Sequence, residues 1–309
     1  TTQRMWRVQR LVAPSIARFE EPTDNAFDLP FSFPADAPLT VSQIMDIMRD
    51  KYEGTDFDLT QGAMAGPYGD PNRNEGGEGL AKVSGKWPRA ISLLRTICAI
   101  VCHSRHGAPD TLWLAMHQPA TSVFVPFFAE STTCHESFTR GSQGEYDDAS
   151  AWWAFSFVGN FMRLNWRLTK SYVTPRQNEL QADLLDRASR VVDDFDSEQT
   201  AWQRHVVDEW KSLGRFLVML VNNGYENVPT LAGGYGYPEE WLKAIGFRQT
   251  LLPLWVQPAT EMQHSHSEWV AVATFLVGLV LGTAIAAFIL RRRLPWKGAP
   301  PSENHYCAM

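Results

Sequence analysis

The stretch from Met48 to Arg73, MRDKYEGTDFDLTQGAMAGPYGDPNR, gathers the residues best placed to do chemistry. Glu53, Asp56 and Asp58 crowd together in it, and Gly54, Gly62, Gly66 and Gly69 break any regular period. A segment this rich in glycine gains little from helix or strand propensity. Its glycines suit positive-φ turns or close approach of backbone to a ligand, so the stretch reads as an active-site loop. Its carboxylates are open to two readings: binding of a cationic group, or turn chemistry in which Asp satisfies local backbone amides. They lack the spaced oxygen ligands of an EF-hand, so calcium has little support.

The other reactive side chains are scattered. Cys98, Cys102, Cys134 and Cys307 are too few for a disulfide framework, and no Cys-x-x-Cys pair points to zinc. On a strand, Cys98 and Cys102 would share one face about 13 Å apart, too far to bridge, and are expected as buried small hydrophobes. No metal or cofactor is expected.

The elements that must position this loop are legible on either side of it. Residues 4–15 form a short strand or helix that meets Pro14, and Pro22, Pro30, Pro34 and Pro38 make 20–39 an extended crossing. Thr40 and Gln43 set up a capping box for a helix over about 41–51, with Val41, Ile44, Met45, Ile47 and Met48 at helical spacing. Beyond a glycine-rich stretch at 74–86, the apolar runs 90–102, 111–116 and 121–128 predict three antiparallel strands of one sheet. From Ala149 the period becomes helical. Helices are expected over about 149–171, ending before Thr174-Pro175, over 176–195, and from Ser197 to a stop at Asn222-Asn223-Gly224, with a short helix reopening at Glu239.

With 309 residues, 44% of them hydrophobic and 20% charged, the chain has enough apolar material for a sizeable core. A net charge of -6 and the lack of a basic stripe before residue 291 argue against a nucleic-acid partner. Residues 269–290, WVAVATFLVGLVLGTAIAAFIL, carry no charge and are long enough to span a bilayer. Arg291, Arg292, Arg293 and Lys297 follow this run, whereas 254–268 holds no Lys or Arg. The positive-inside rule then places the C-terminus in the cytosol and the large domain in the lumen or outside, at a lysosome-like or surface membrane. Gly278 and Gly282 would let two such helices approach as a homodimer.

Five stretches carry a resemblance to a known family: WRVQRLVAPS (6–15), MRDKYEGTDFDLTQGAMAGPYGDPNR (48–73), RAIS (89–92), TSVFVPFF (121–128) and SAWWAFSFVGN (150–160), with GYPEEWLKAIGF (236–247) as an extension. In this order they resemble the cysteine dipeptidases of the dipeptidase A and secernin group, within the N-terminal nucleophile hydrolases. The resemblance implies an α+β fold, the C-terminal part of an αββα sandwich. It also implies hydrolysis of dipeptides by a processed N-terminal cysteine whose own α-amine handles the proton. That cysteine should lie upstream of WRVQRLVAPS, and no cysteine here precedes Cys98, so the chain reads as N-terminally truncated, supplies no catalytic residue, and is expected to be inactive alone. With the α-amine in that role, His103, His106, His117 and His135 are bystanders.

What remains for this chain is the substrate pocket. Arg73 and Arg89 sit in matching stretches and are the candidates for the arginine that related amide hydrolases place near the nucleophile, with a salt bridge as the alternative for Arg89. Glu53, Asp56 and Asp58 are the candidates for the dipeptide's ammonium, because a small zwitterion needs an anion at one end and a cation at the other. The expected organisation is a dipeptidase-like domain over 1–250, a linker over 251–268, the membrane helix over 269–290 and a basic tail over 291–309. A non-catalytic, secernin-like binding or trafficking protein is the alternative.

Overall fold

The structure is a computed structural model that describes residues 2–17, 21–23, 25–74, 87–190, 194–228 and 233–247. All lie in one unit, Thr1–Phe247. The first helix, α1 (Thr2–Val12), buries Trp6 and Gln9 and gives way at Pro14 to a 3-10 turn, as the proline predicts. The capping box forms as expected: Gln43 N donates to Thr40 Oγ1 at 3.2 Å, and Thr40 N donates to Gln43 Oε1 at 2.8 Å. It opens α2 (Val41–Arg49), which buries Met45.

The three expected strands form one antiparallel sheet, ordered β1 (Cys98–His103), β2 (Thr111–Met116), β3 (Val125–Phe128). Its inner face, with Ala99, Val101, Trp113, Ala115 and Phe128, joins the main core. The helices on that core are α3 (Ala151–Met162), α4 (Trp166–Ala188) and α5 (Phe195–Leu220). Strand β3 is closed by glutamines. Gln181 from α4 both accepts from Phe124 N and donates to Phe124 O, while Gln199 and Gln203 from α5 bond Phe128 N and Pro126 O. These amides satisfy backbone groups that an edge strand would leave unpaired.

The other face of the sheet is apolar; it is exposed at Cys98, Ile100, Cys102 and Leu112 but covered at β3, where Val125 is buried and Phe127 lies edge-on to Phe138. Register places Cys98 opposite Met116, Ile100 opposite Leu114 and Cys102 opposite Leu112. Cys98 and Cys102 therefore share a face as expected, but they are exposed rather than buried. A sheet with one solvated face ordinarily alternates apolar with polar residues, and this one does not.

Two helix boundaries differ from the sequence expectation. The break between the first two long helices comes at residues 163–165, where Asn165 Oδ1 accepts from Leu168 N and caps α4. Pro175 lies inside α4 because Val173, Gln177, Leu180 and Leu184 continue one buried face across it. Packing of that face outweighs the lost N–H, and Pro175 itself is exposed. Likewise α5 is capped by Asp194, whose carboxylate accepts from Ser197 N, so Ser197 is inside the helix rather than before it. Asn223 and Gly224, both at positive φ, turn the chain between β4 (Val221–Asn222) and β5 (Tyr225–Glu226), which β6 (Gly233–Gly234) extends. The reopened helix is α6 (Glu239–Ala244).

The expectation of a single-pass membrane protein is corrected. Among the described residues no helix is long and apolar enough to cross a membrane. The run 269–290 on which it rested, with Gly278 and Gly282, lies outside the described residues, as do the linker over 251–268 and the tail over 291–309.

Candidate active site

The glycine-rich loop after α2 is irregular and is fastened from beneath. Arg7 on α1 grips Asp50 bidentately, Nε to Oδ1 at 3.0 Å and Nη2 to Oδ2 at 2.7 Å, and also donates to Glu53 O. Asp50 Oδ1 in turn accepts from Tyr52 N at 2.8 Å. Tyr52 stands at φ 67°, a left-handed backbone unusual outside glycine, with its ring fully buried. Burial raises its phenol pKa well above the ordinary value, so the hydroxyl stays a donor, and it bonds Arg89 O.

Two segments, 71–74 and 87–95, enclose a cavity of about 210 Å³ whose lining includes Asn72, Arg73, Arg89, Ser92 and Arg95. Sequence reasoning chose Arg73 and Arg89, and the structure brings both to this one cavity. Arg73 is partly committed elsewhere. Its Nη1 donates to Asp70 O at 2.5 Å and its Nη2 to Leu59 O at 3.0 Å, so it also ties the loop to itself. Burial lowers the Arg73 pKa, with Asp70 opposing.

Glu53 and Asp58 do not line the cavity. Glu53 accepts from Lys51 N at 2.8 Å and pairs with Lys170 at 3.2 Å. Asp58 Oδ1 accepts from Thr60 N at 2.8 Å and Thr60 Oγ1 at 2.7 Å, the turn chemistry offered as its alternative. Asp56 is exposed on the same loop.

Behind the cavity wall lies a buried polar hub that sequence reasoning missed. Ser92 N donates to Asp50 O, Ser92 Oγ accepts from Ala120 N, and Ser92 O accepts from both Lys51 Nζ at 2.8 Å and Gln118 Nε2 at 3.2 Å. Gln118 Nε2 also reaches Asn72 Oδ1 at 2.9 Å, and Asn72 Nδ2 donates to Asp70 Oδ1, which Arg163 steadies through Oδ2. A lysine or an amide within a polar loop carries no signal of burial in its type alone. The one available signal was the position of Lys51 inside RDKYEGTDFD.

His117 also stands behind this wall, at φ 62° and buried, with its ring edge-on to Trp152. Burial and the nearby Lys51 hold its pKa down to about 4, so the ring is neutral at pH 7. It does not line the cavity. None of Cys98, Cys102 and Cys134 lines it either, and no group of His, Cys, Asp or Glu among the described residues could hold a metal. Among the described residues, three guanidinium-bearing residues and no carboxylate line this space, a chemistry suited to a small carboxylate ligand.

Residues 1–179 match the family described as Peptidase family C69, a span that carries α1, the loop, the whole cavity lining and the sheet. The chain belongs to that family. Among curated proteins it is similar to a probable dipeptidase of Latilactobacillus sakei, 27% identical over 205 residues, which is 60% of this chain and 39% of that protein. A probable dipeptidase B of Lactococcus lactis subsp. lactis (strain IL1403) is 27% identical over 138 residues, 43% of this chain and 25% of its own. The chain thus spans well under half the length of these relatives.

Proposed function

We propose that the chain forms the substrate-binding half of a dipeptidase, with the cavity between 71–74 and 87–95 receiving the carboxylate end of a dipeptide. The observation that carries this reading is that Arg73 and Arg89, distant in sequence and each within the C69 match, line one small cavity. Relatives named as dipeptidases support the substrate class. Glu53 and Asp58 enter as carboxylates that hold the shape of the loop beside it.

Peptide hydrolysis of the cysteine type needs a thiolate at the scissile carbonyl. With Cys98, Cys102 and Cys134 away from the cavity lining, we assign no nucleophile to the described residues and expect the chain alone to be inactive. The exposed apolar side chains of Ile100, Cys102 and Leu112 suit packing against a second sheet, as in an αββα sandwich.

Calorimetric titration of the 309-residue chain with alanyl-alanine tests the pocket. Saturable binding is expected, and Arg89→Ala should weaken it by about tenfold, equivalent to about 1.4 kcal/mol, while the melting temperature stays unchanged. Equal losses of binding and stability would mean that Arg89 serves the fold alone. Hydrolysis of alanyl-alanine by the chain would refute the expected inactivity.

A further inference from the structure

Lys51 is a lysine with no exposed surface. Its Nζ donates to Ser92 O at 2.8 Å and sits 5.2 Å from the centre of the Trp166 ring, and among the described residues no carboxylate pairs with it. Burying an ammonium without an ion pair is unfavourable, and a methionine of similar length would fill the space against Trp166 without that penalty. Stability of the fold is therefore a poor account of this residue.

The one hydrogen bond that Lys51 Nζ makes among the described residues falls on the hub of the cavity wall. Ser92 lines the cavity, its neighbours Arg89 and Arg95 belong to the same segment, and the carbonyl that Lys51 holds is shared with Gln118, which grips Asn72 on the opposite segment. The ammonium thus fixes the relative placement of the two segments between which the ligand must fit. We propose that Lys51 is a positioning residue of the cavity, setting the spacing of the Asn72–Arg73 and Arg89–Arg95 walls through the Ser92 carbonyl. The ligand part of this inference rests on the dipeptide-carboxylate reading above.

The charge state of Lys51 gives the proposal a handle. Burial pushes its pKa down to about 7, with Glu53, Asp70 and Asp50 acting against that and Lys170 with it. His117 is the other titratable group whose charge interacts with it, and its pKa of about 4 keeps it silent near neutrality. A charge-assisted donor is roughly twice as strong as a neutral one, so the grip on Ser92 O weakens as Lys51 loses its proton.

Two measurements on the full chain decide the matter. The backbone 15N shift of Leu93, whose peptide group contains the Ser92 carbonyl, should titrate near pH 7 in the wild type and stay flat in Lys51→Met. A wild-type shift that is flat across neutral pH overturns the proposal, whether or not any ligand binds. In titrations with alanyl-alanine, Lys51→Met should lose about tenfold in affinity, some 1.4 kcal/mol, with an equal or higher melting temperature, and Lys51→Arg should recover most of it. Wild-type affinity in Lys51→Met, or a loss matched by a fall in melting temperature, also overturns it. Absence of alanyl-alanine binding to the wild type would instead sink the dipeptide reading, leaving the Leu93 titration to judge Lys51.

Discussion

The helix–sheet body and the loop layer over α1 are held together by different physics. The body packs Trp113, Phe124, Phe155, Trp210 and Leu217 into one continuous core, where burial of apolar area does the stabilising and many apolar side chains would serve. The loop layer has a far smaller core, Trp6, Leu29, Tyr52, Leu59 and Ala90. It depends instead on discrete bonds from side chains to backbone: Arg7 to Glu53 O, Lys51 to Ser92 O, Tyr52 to Arg89 O and Arg73 to Leu59 O. Directional bonds fix atoms more closely than apolar contact does. The cavity lies in the second kind of region, where side-chain identity matters most.

The largest effect should come from the body. Trp210 is fully buried, so Trp210→Ala should destabilise the whole unit by about 3–5 kcal/mol. Urea unfolding should show a single transition moved to lower denaturant, and a transition that splits in two would mean the body and loop layer are less coupled than this account requires.

A somewhat smaller and more local loss is expected from the loop layer. Asp50→Ala strips Arg7 of its carboxylate in a site where their side chains are only 12% and 9% exposed, at a cost of about 3 kcal/mol. Hydrogen exchange should find the Tyr52, Leu59 and Ser92 amides losing protection while the β1–β2 ladder keeps its own. Uniform loss across both regions would erase the distinction drawn here.

His117 stands where the two regions meet, its ring against Gly159 of α3 and its charge coupled to Lys51 of the loop. Its folded pKa of about 4 lies below the ordinary 6.5, so the unfolded chain takes up a proton between those values and the folded chain does not. Stability from this group is therefore full above about pH 6.5 and declines as pH falls towards 4, by about 2–3 kcal/mol. His117→Gln should flatten that part of the stability-pH curve, and an unchanged slope would remove His117 as its cause.

The body was largely legible in the sequence, and the reason is periodicity. The apolar runs 90–102, 111–116 and 121–128 pointed to three antiparallel strands, which form over 98–103, 111–116 and 125–128, and Thr40 with Gln43 gave the start of α2, because each of these signals is local. The resemblance carried in WRVQRLVAPS and RDKYEGTDFD likewise identified the family before any fold was known. Tertiary packing decided the rest. It ran α4 through Pro175, since a buried face on either side outweighed one missing hydrogen bond, and it turned Cys98 and Cys102 to the exposed side of β1. It also brought Arg73 and Arg89 to one cavity while leaving Glu53 and Asp58 to ion pairing and turn capping. Lys51 shows why such outcomes escape a linear reading. A charged side chain is buried only when distant groups, here the Ser92 carbonyl and the Trp166 ring, converge on it, and that convergence is a property of the folded chain alone.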